Sequence, residues 1–189
     1  MEVPFIDLKR TVAKLKEPTI KDWQECLDSC WFVGGPFVKK LESTLNSKLQ
    51  VDHSICCSNG TDALLIALQA VGIKAGDKVA VPNLTFWATY EAVHLLGAQA
   101  VLVDVDPKDW HLSLSKLEEA HETHCLDGVV FAHLFGWTSK DLTEIRRYCS
   151  NLKIPLVEDT AQGFGVESGQ HSIFKDSLIS TISFYPAKV

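Results

Sequence analysis

The sequence predicts an α/β fold: a mostly parallel central sheet with helices on both faces. Two observations carry that reading. Short, continuous apolar runs recur along the chain, and amphipathic stretches of helical period separate them. Continuous runs suit strands buried on both faces, and helices between them suit right-handed crossovers joining parallel strands. The segment through about Leu49 reads as helical and connecting, with helices expected over Val12–Cys30 and Phe37–Leu49. The alternating pattern then starts with a strand over His53–Cys57 and a helix over Thr61–Val71. Ala75-Gly76-Asp77 breaks that helix from a strand over Lys78–Val81, which leads to a helix over Ala88–Leu96. A strand over Ala100–Val103 ends at Asp104-Val105-Asp106-Pro107, where proline cannot continue a central ladder. Helices over Ser115–Glu122 and Ser139–Ser150 and strands over Gly128–Ala132, Pro155–Glu158 and Leu178–Phe184 complete the pattern.

Composition narrows the function. The chain has 189 residues, 46% hydrophobic and 22% charged, an ordinary globular balance. A formal net charge of -6 without a basic stripe argues against nucleic-acid binding. No apolar run is long enough to cross a bilayer, so no membrane partner is expected. The start, Met1-Glu2-Val3-Pro4-Phe5, lacks a basic stretch followed by an apolar one, so no secretory signal is read. The six cysteines, Cys26, Cys30, Cys56, Cys57, Cys125 and Cys149, match no zinc pattern, and no metal site is expected. Cys26 and Cys30, one turn apart, read as semi-buried thiols on a helix. Reduced thiols without a disulfide framework point to the cytoplasm.

Ligands of open α/β sheets bind beyond the carboxyl ends of the strands. The residues there include Ser58-Asn59-Gly60-Thr61-Asp62, Thr85-Phe86, Asp104, His133, Glu158-Asp159 and Ser183. Three of these stretches carry chemistry. In Ser58-Asn59-Gly60-Thr61-Asp62-Ala63-Leu64 a glycine turn opens a helix whose free N–H groups form an anion site, although an ordinary N-cap has the same look. It is neither a dinucleotide fingerprint nor a Walker motif. In Leu156-Val157-Glu158-Asp159-Thr160-Ala161-Gln162 an apolar strand delivers two carboxylates to its end, fit for a metal, a base or a cationic heterocycle, or merely for capping. In Ser183-Phe184-Tyr185-Pro186-Ala187-Lys188 a lysine follows a strand and a turn. It is either a solvated charge or a nucleophile whose basicity its site lowers. Together, a phosphate cradle, a carboxylate and a lysine are what pyridoxal 5′-phosphate requires.

With Gly34-Gly35-Pro36, Pro82-Asn83-Leu84-Thr85-Phe86-Trp87-Ala88-Thr89, Val103-Asp104-Val105-Asp106 and His133-Leu134-Phe135-Gly136 in the same order, the chain resembles the DegT/StrS-type nucleotide-sugar aminotransferases of fold type I. The resemblance implies transfer of an amino group from an amino acid, glutamate by expectation, to a keto-sugar nucleotide, in polysaccharide or secondary-metabolite sugar biosynthesis. It implies that Lys188 carries the cofactor as a Schiff base and then shuttles a proton, and that Asp159 pairs with the pyridinium nitrogen. Gln162 would bond the ring hydroxyl, Gly60 and Thr61 the phosphate through backbone N–H groups, and Ser183 the same phosphate through its hydroxyl. Phe86 would stack on the ring, with Trp87 as the second candidate. Glu158 is expected to point away and act structurally, and His133 is given no chemical role. Residues 1–35 read as an N-terminal helical and connecting segment, and 36–189 as the cofactor-binding large domain.

The match is incomplete in two places. The family continues well beyond the position of Val189, through a smaller C-terminal domain and contacts across a homodimer. The chain is therefore expected to be a truncated part, inactive alone. The segment Gly169–Asp176 is also less glycine-rich than the family's pattern. Three rivals stand beside this reading. One is a non-catalytic or regulatory remnant, which the retention of Lys188, Asp159 and Gln162 opposes. Another is a pyridoxal-phosphate-dependent sugar dehydratase, which usually has histidine at the position of Lys188. The third is a nucleotide-binding domain without pyridoxal phosphate, opposed by the missing glycine fingerprints.

Overall fold

A computed structural model describes residues 6–188. Its centre is a five-stranded parallel sheet of strand order β2-β1-β3-β4-β7. The strands are β1 (Lys78–Pro82), β2 (Gln99–Val103), β3 (Gly128–Ala132), β4 (Leu156–Asp159) and β7 (Ile179–Thr181). A small antiparallel pair, β5 (Glu167–Ser168) and β6 (His171–Ser172), lies between β4 and β7 in the chain. The helices are α1 (Leu8–Ser29), α2 (Gly35–Leu49), α3 (Gly60–Ala70), α4 (Trp87–Leu95), α5 (Leu114–His124) and α6 (Leu142–Leu152).

Period-two alternation divides the strand side chains between two cores. Val79, Val81, Val130 and Val157 pack with Leu64, Leu68, Ala92 and Val93 of α3 and α4 on one face. Ala80, Val129, Phe131 and Leu156 pack with Leu117, Leu142 and Ile145 of α5 and α6 on the other. The central strand β3 is buried throughout, whereas edge strand β2 leaves Leu102 58% exposed. A third cluster joins Leu45 and Leu49 of α2 to Ile173 and Phe174. By contrast, α1 buries none of its residues.

Several expectations need correction. His53–Cys57 joins no ladder, and Ile55 is 88% exposed. The strand expected over Leu178–Phe184 is only Ile179–Thr181, so Ser183 lies beyond the sheet. The helix expected from Ser139 begins at Leu142, because the Ser139 hydroxyl donates to Asp109 and accepts from the Asp141 N–H. The first helix begins at Leu8, capped by Asp7, and continues through Pro18. Cys30 is its left-handed C-cap and is exposed, so it does not share a helical face with half-buried Cys26. Among the described residues, no helix is long and apolar enough to cross a membrane.

Candidate active site

The parallel order aligns the carboxyl ends of β1, β3, β4 and β7, and the side chains just beyond them converge. At the start of α3, the Asn59 side chain accepts from the Asp62 N–H at 2.9 Å and donates to the Asp62 carboxylate at 2.9 Å. The Ser58 hydroxyl also donates to that carboxylate. The Asp62 carboxylate thus braces the turn. The N–H groups of Gly60 and Thr61, in the first helical turn, have no intrahelical acceptor. Ser183 sits against this turn: a Cβ on Gly60 would stand 3.3 Å from the Ser183 Cβ and 3.5 Å from its hydroxyl oxygen. Glycine thus lets Ser183 approach the free N–H groups.

A narrow cleft beyond β3 and β4 is lined by Thr85, Phe86, Asp159, Gln162 and Lys188, among others. Phe86 is the N-cap of α4, and Lys188 Nζ lies 5.2 Å from the centre of its ring. Asp159 ends β4 and is 6% exposed. Its Oδ2 accepts from the Thr89 hydroxyl at 2.6 Å and its Oδ1 from the Ala161 N–H at 3.2 Å. The Gln162 Oε1 accepts from the Phe135 N–H at 2.8 Å, which leaves its amide NH2 to donate elsewhere. Trp87 does not line this cleft. Its ring packs on Tyr90, with centroids 5.0 Å apart, in an open groove of about 390 Å³ whose lining includes Val81 and Pro82 of β1 and Leu102 of β2.

Glu158 and Asp159 point to opposite faces, as adjacent strand residues do. Glu158 is fully buried and takes bonds from Arg146 Nε at 2.8 Å and Nη2 at 2.9 Å. Its Oε2 also lies 2.9 Å from His133 Nε2. Burial pushes the Glu158 carboxyl up, but hydrogen bonds and charge from His133 and Arg146 outweigh it and hold it below the ordinary carboxylate value. His133 is thereby structural on its Nε2 side, while its buried Nδ1 has no partner among the described residues. Arg146 also donates to the Ile173 carbonyl, tying α6 to the segment before β7.

The sequence places Thr85 at a strand end but assigns no role to it, to Thr89 or to Arg146. The available signal was the pair of hydroxyls at Thr85 and Thr89, four apart across a helix start.

Residues 13–189 match the DegT/DnrJ/EryC1/StrS aminotransferase family. The chain is 36% identical over 186 residues to the UDP-2-acetamido-2-deoxy-3-oxo-D-glucuronate aminotransferase of Pseudomonas aeruginosa, across 98% of this chain and 51% of that protein. It is similar to DesV of S. venezuelae, solved in complex with a ketimine intermediate, with a TM-score of 0.92 and 32% identity over 98% of this chain and 50% of that one. NtdA of Bacillus subtilis, solved with bound cofactor PMP, gives a TM-score of 0.91 and 32% identity over 99% of this chain and 42% of that one. The chain spans about half the length of the curated relatives it matches. From the matched span and these likenesses, the chain belongs to the DegT/DnrJ/EryC1/StrS aminotransferase family.

Proposed function

We propose that the whole protein transfers an amino group from an amino acid, with glutamate the expected donor, to a keto group on a nucleotide-linked sugar, using pyridoxal 5′-phosphate. The observation that carries this reading is the convergence of Phe86, Asp159, Gln162 and Lys188 on one cleft. The residues fit the cofactor's chemistry. Free N–H groups at Gly60 and Thr61 with the Ser183 hydroxyl suit a phosphate. A nearly buried, oriented carboxylate at Asp159 suits a protonated ring nitrogen. The Phe86 ring offers a stacking face, and the Gln162 amide can donate to a ring hydroxyl.

Bound pyridoxal phosphate supplies an electron sink for the pair released when a substrate C–H bond breaks. The chain's own groups do the rest. Asp159 would hold a proton on the ring nitrogen by hydrogen bond and charge. Lys188 would hold the cofactor between turnovers, and its amine would take and return the proton at the substrate carbon. Phe86 would offer its ring as a stacking face on one side of the cofactor. Residues 1–35 act as a connecting segment, 36–189 as the cofactor-binding large domain, and two copies of the whole protein pair as a homodimer in the cytoplasm. The relatives' named substrates, nucleotide-linked oxo- and amino-sugars, support the substrate class.

The test is borohydride reduction of the pyridoxal-phosphate-treated protein followed by peptide mass mapping. The expected result is a pyridoxyl adduct on Lys188, lost in Lys188→Ala. Glutamate-dependent amination of a keto-sugar nucleotide by the whole protein should vanish in the same variant. An adduct on another lysine, with turnover intact in Lys188→Ala, would refute the assignment.

A further inference from the structure

We propose that Thr89, with Thr85 behind it, is a positioning residue that fixes the orientation of the Asp159 carboxylate; this rests on the reading of the cleft as a pyridoxal-phosphate site. A carboxylate only accepts hydrogen bonds, so the 2.6 Å contact to Asp159 Oδ2 must use the single O–H of Thr89. The 2.8 Å contact between Thr85 and Thr89 then has one possible polarity: Thr85 donates and Thr89 accepts. The result is a directed relay, Thr85 to Thr89 to Asp159. The Ala161 N–H takes the other carboxylate oxygen at 3.2 Å. With both oxygens engaged, the carboxylate cannot turn freely, and its remaining lone pairs are left in fixed directions for a ring N–H.

Burial makes the relay consequential. Thr89 is 0% exposed and Asp159 6%, so little water is at hand to replace a lost hydroxyl. The Thr89–Asp159 contact also joins residues 70 apart, tying the start of α4 to the end of β4. Phe86 lies between the two threonines, as N-cap of α4. The same two hydroxyls therefore hold the stacking ring's turn and the nitrogen's partner in one register. Such preorganisation decides whether a site meets a ring or is merely near one.

The test uses the whole protein with Thr89→Val, which keeps the shape and removes the hydroxyl, and Thr89→Ser, which keeps the hydroxyl. Spectroscopic titration with pyridoxal phosphate gives affinity, and the pH dependence of the bound cofactor's absorbance reports the ring's environment. Thr89→Val should weaken binding about tenfold or more, as loss of a bond to a charged group does. It should also displace the pH profile, while Thr89→Ser stays near the parent. A Thr89→Val protein matching the parent in both readouts, or a Thr89→Ser protein as impaired as Thr89→Val, would overturn the proposal. Failure of the unsubstituted chain to bind pyridoxal phosphate would count against the site reading instead. The relay is then decided by NMR of the cofactor-free chain. A Thr89 hydroxyl proton protected from exchange and close to the Ala161 amide is expected, and its absence sinks the relay.

Discussion

Glu158 and Asp159 show how one dipeptide serves two purposes. Strand geometry turns Asp159 toward the cleft and Glu158 into a dry pocket with Arg146 and His133. Substitution should separate the roles. Asp159→Asn removes the anion proposed to face the cofactor ring and should lower the whole protein's turnover by about a hundredfold or more, with the thermal midpoint nearly unchanged. Glu158→Gln leaves Arg146 and His133 facing a neutral amide and should cost about 3 kcal/mol or more in urea unfolding, since breaking a buried charge network is expensive. The reverse pattern would mean the pair is assigned backwards. Acid sensitivity follows from the same network. The folded-state value of Glu158 lies below its ordinary 4.5, so its contribution is complete above about pH 4.5 and is lost as pH falls through the lowered value. His111 is lowered from 6.5 mainly by burial, against the opposing hydrogen bond to the Asp109 carbonyl. A lowered histidine also gives stability that is present above its unfolded value and lost on acidification. Stability should therefore decline below about pH 6.5 and again below about 4.5, and Glu158→Gln should remove only the second step.

At the scale of elements, the start of α3 is both a cap and a candidate anion site. Asn59→Ala removes the acceptor for the Asp62 N–H and should cost about 1 kcal/mol in denaturant unfolding. It should also weaken pyridoxal-phosphate binding, because the turn that holds Gly60 and Thr61 loosens. Asn59→Ser should recover the stability, and no loss in Asn59→Ala would show that Ser58 and Asp62 suffice. The legibility of these elements in the sequence varied for physical reasons. β3 runs over Gly128–Ala132 as expected, because a strand buried on both faces writes itself as an unbroken apolar run. His53–Cys57 has strand-like residues but no strand partner among the described residues, and a ladder depends on tertiary pairing rather than local preference. α6 begins later than its pattern because a contact between Ser139 and Asp109, 30 residues apart, claims its first turn. The cleft follows the same rule. Side chains just beyond strand ends could be read from the chain, since the topology dictates where ligands sit. The Thr89–Asp159 contact could not, since nothing local relates residues 70 apart.

At the scale of the molecule, apolar surface is distributed unevenly. Leu8, Val12 and Leu15, then Ile20, Trp23 and Leu27, recur along α1 at spacings of three or four, and each is more than 40% exposed. Trp31, Phe32 and Val33 extend this surface beyond the helix. Ile55, on a segment that joins no ladder, and Leu102, on the edge strand, are exposed as well. A helix of this length without a buried residue derives little stability from its own packing, since tertiary contact, not propensity, sustains most helices. Surface of this kind favours association, and a strand edge without a partner can pair with another chain. The 189-residue chain should therefore sediment at micromolar concentration as species heavier than its 20.9 kDa. Trp23→Glu with Leu27→Lys tests whether α1 is the surface responsible. Because neither side chain is buried, the double substitution should leave the unfolding midpoint of the sheet core almost unmoved while shifting the sedimentation profile toward monomer. A parent chain that is monomeric throughout would show that the stripe is not an association surface. An association unaffected by the substitution would move it from α1 to the sheet edge and the groove beside Trp87 and Tyr90.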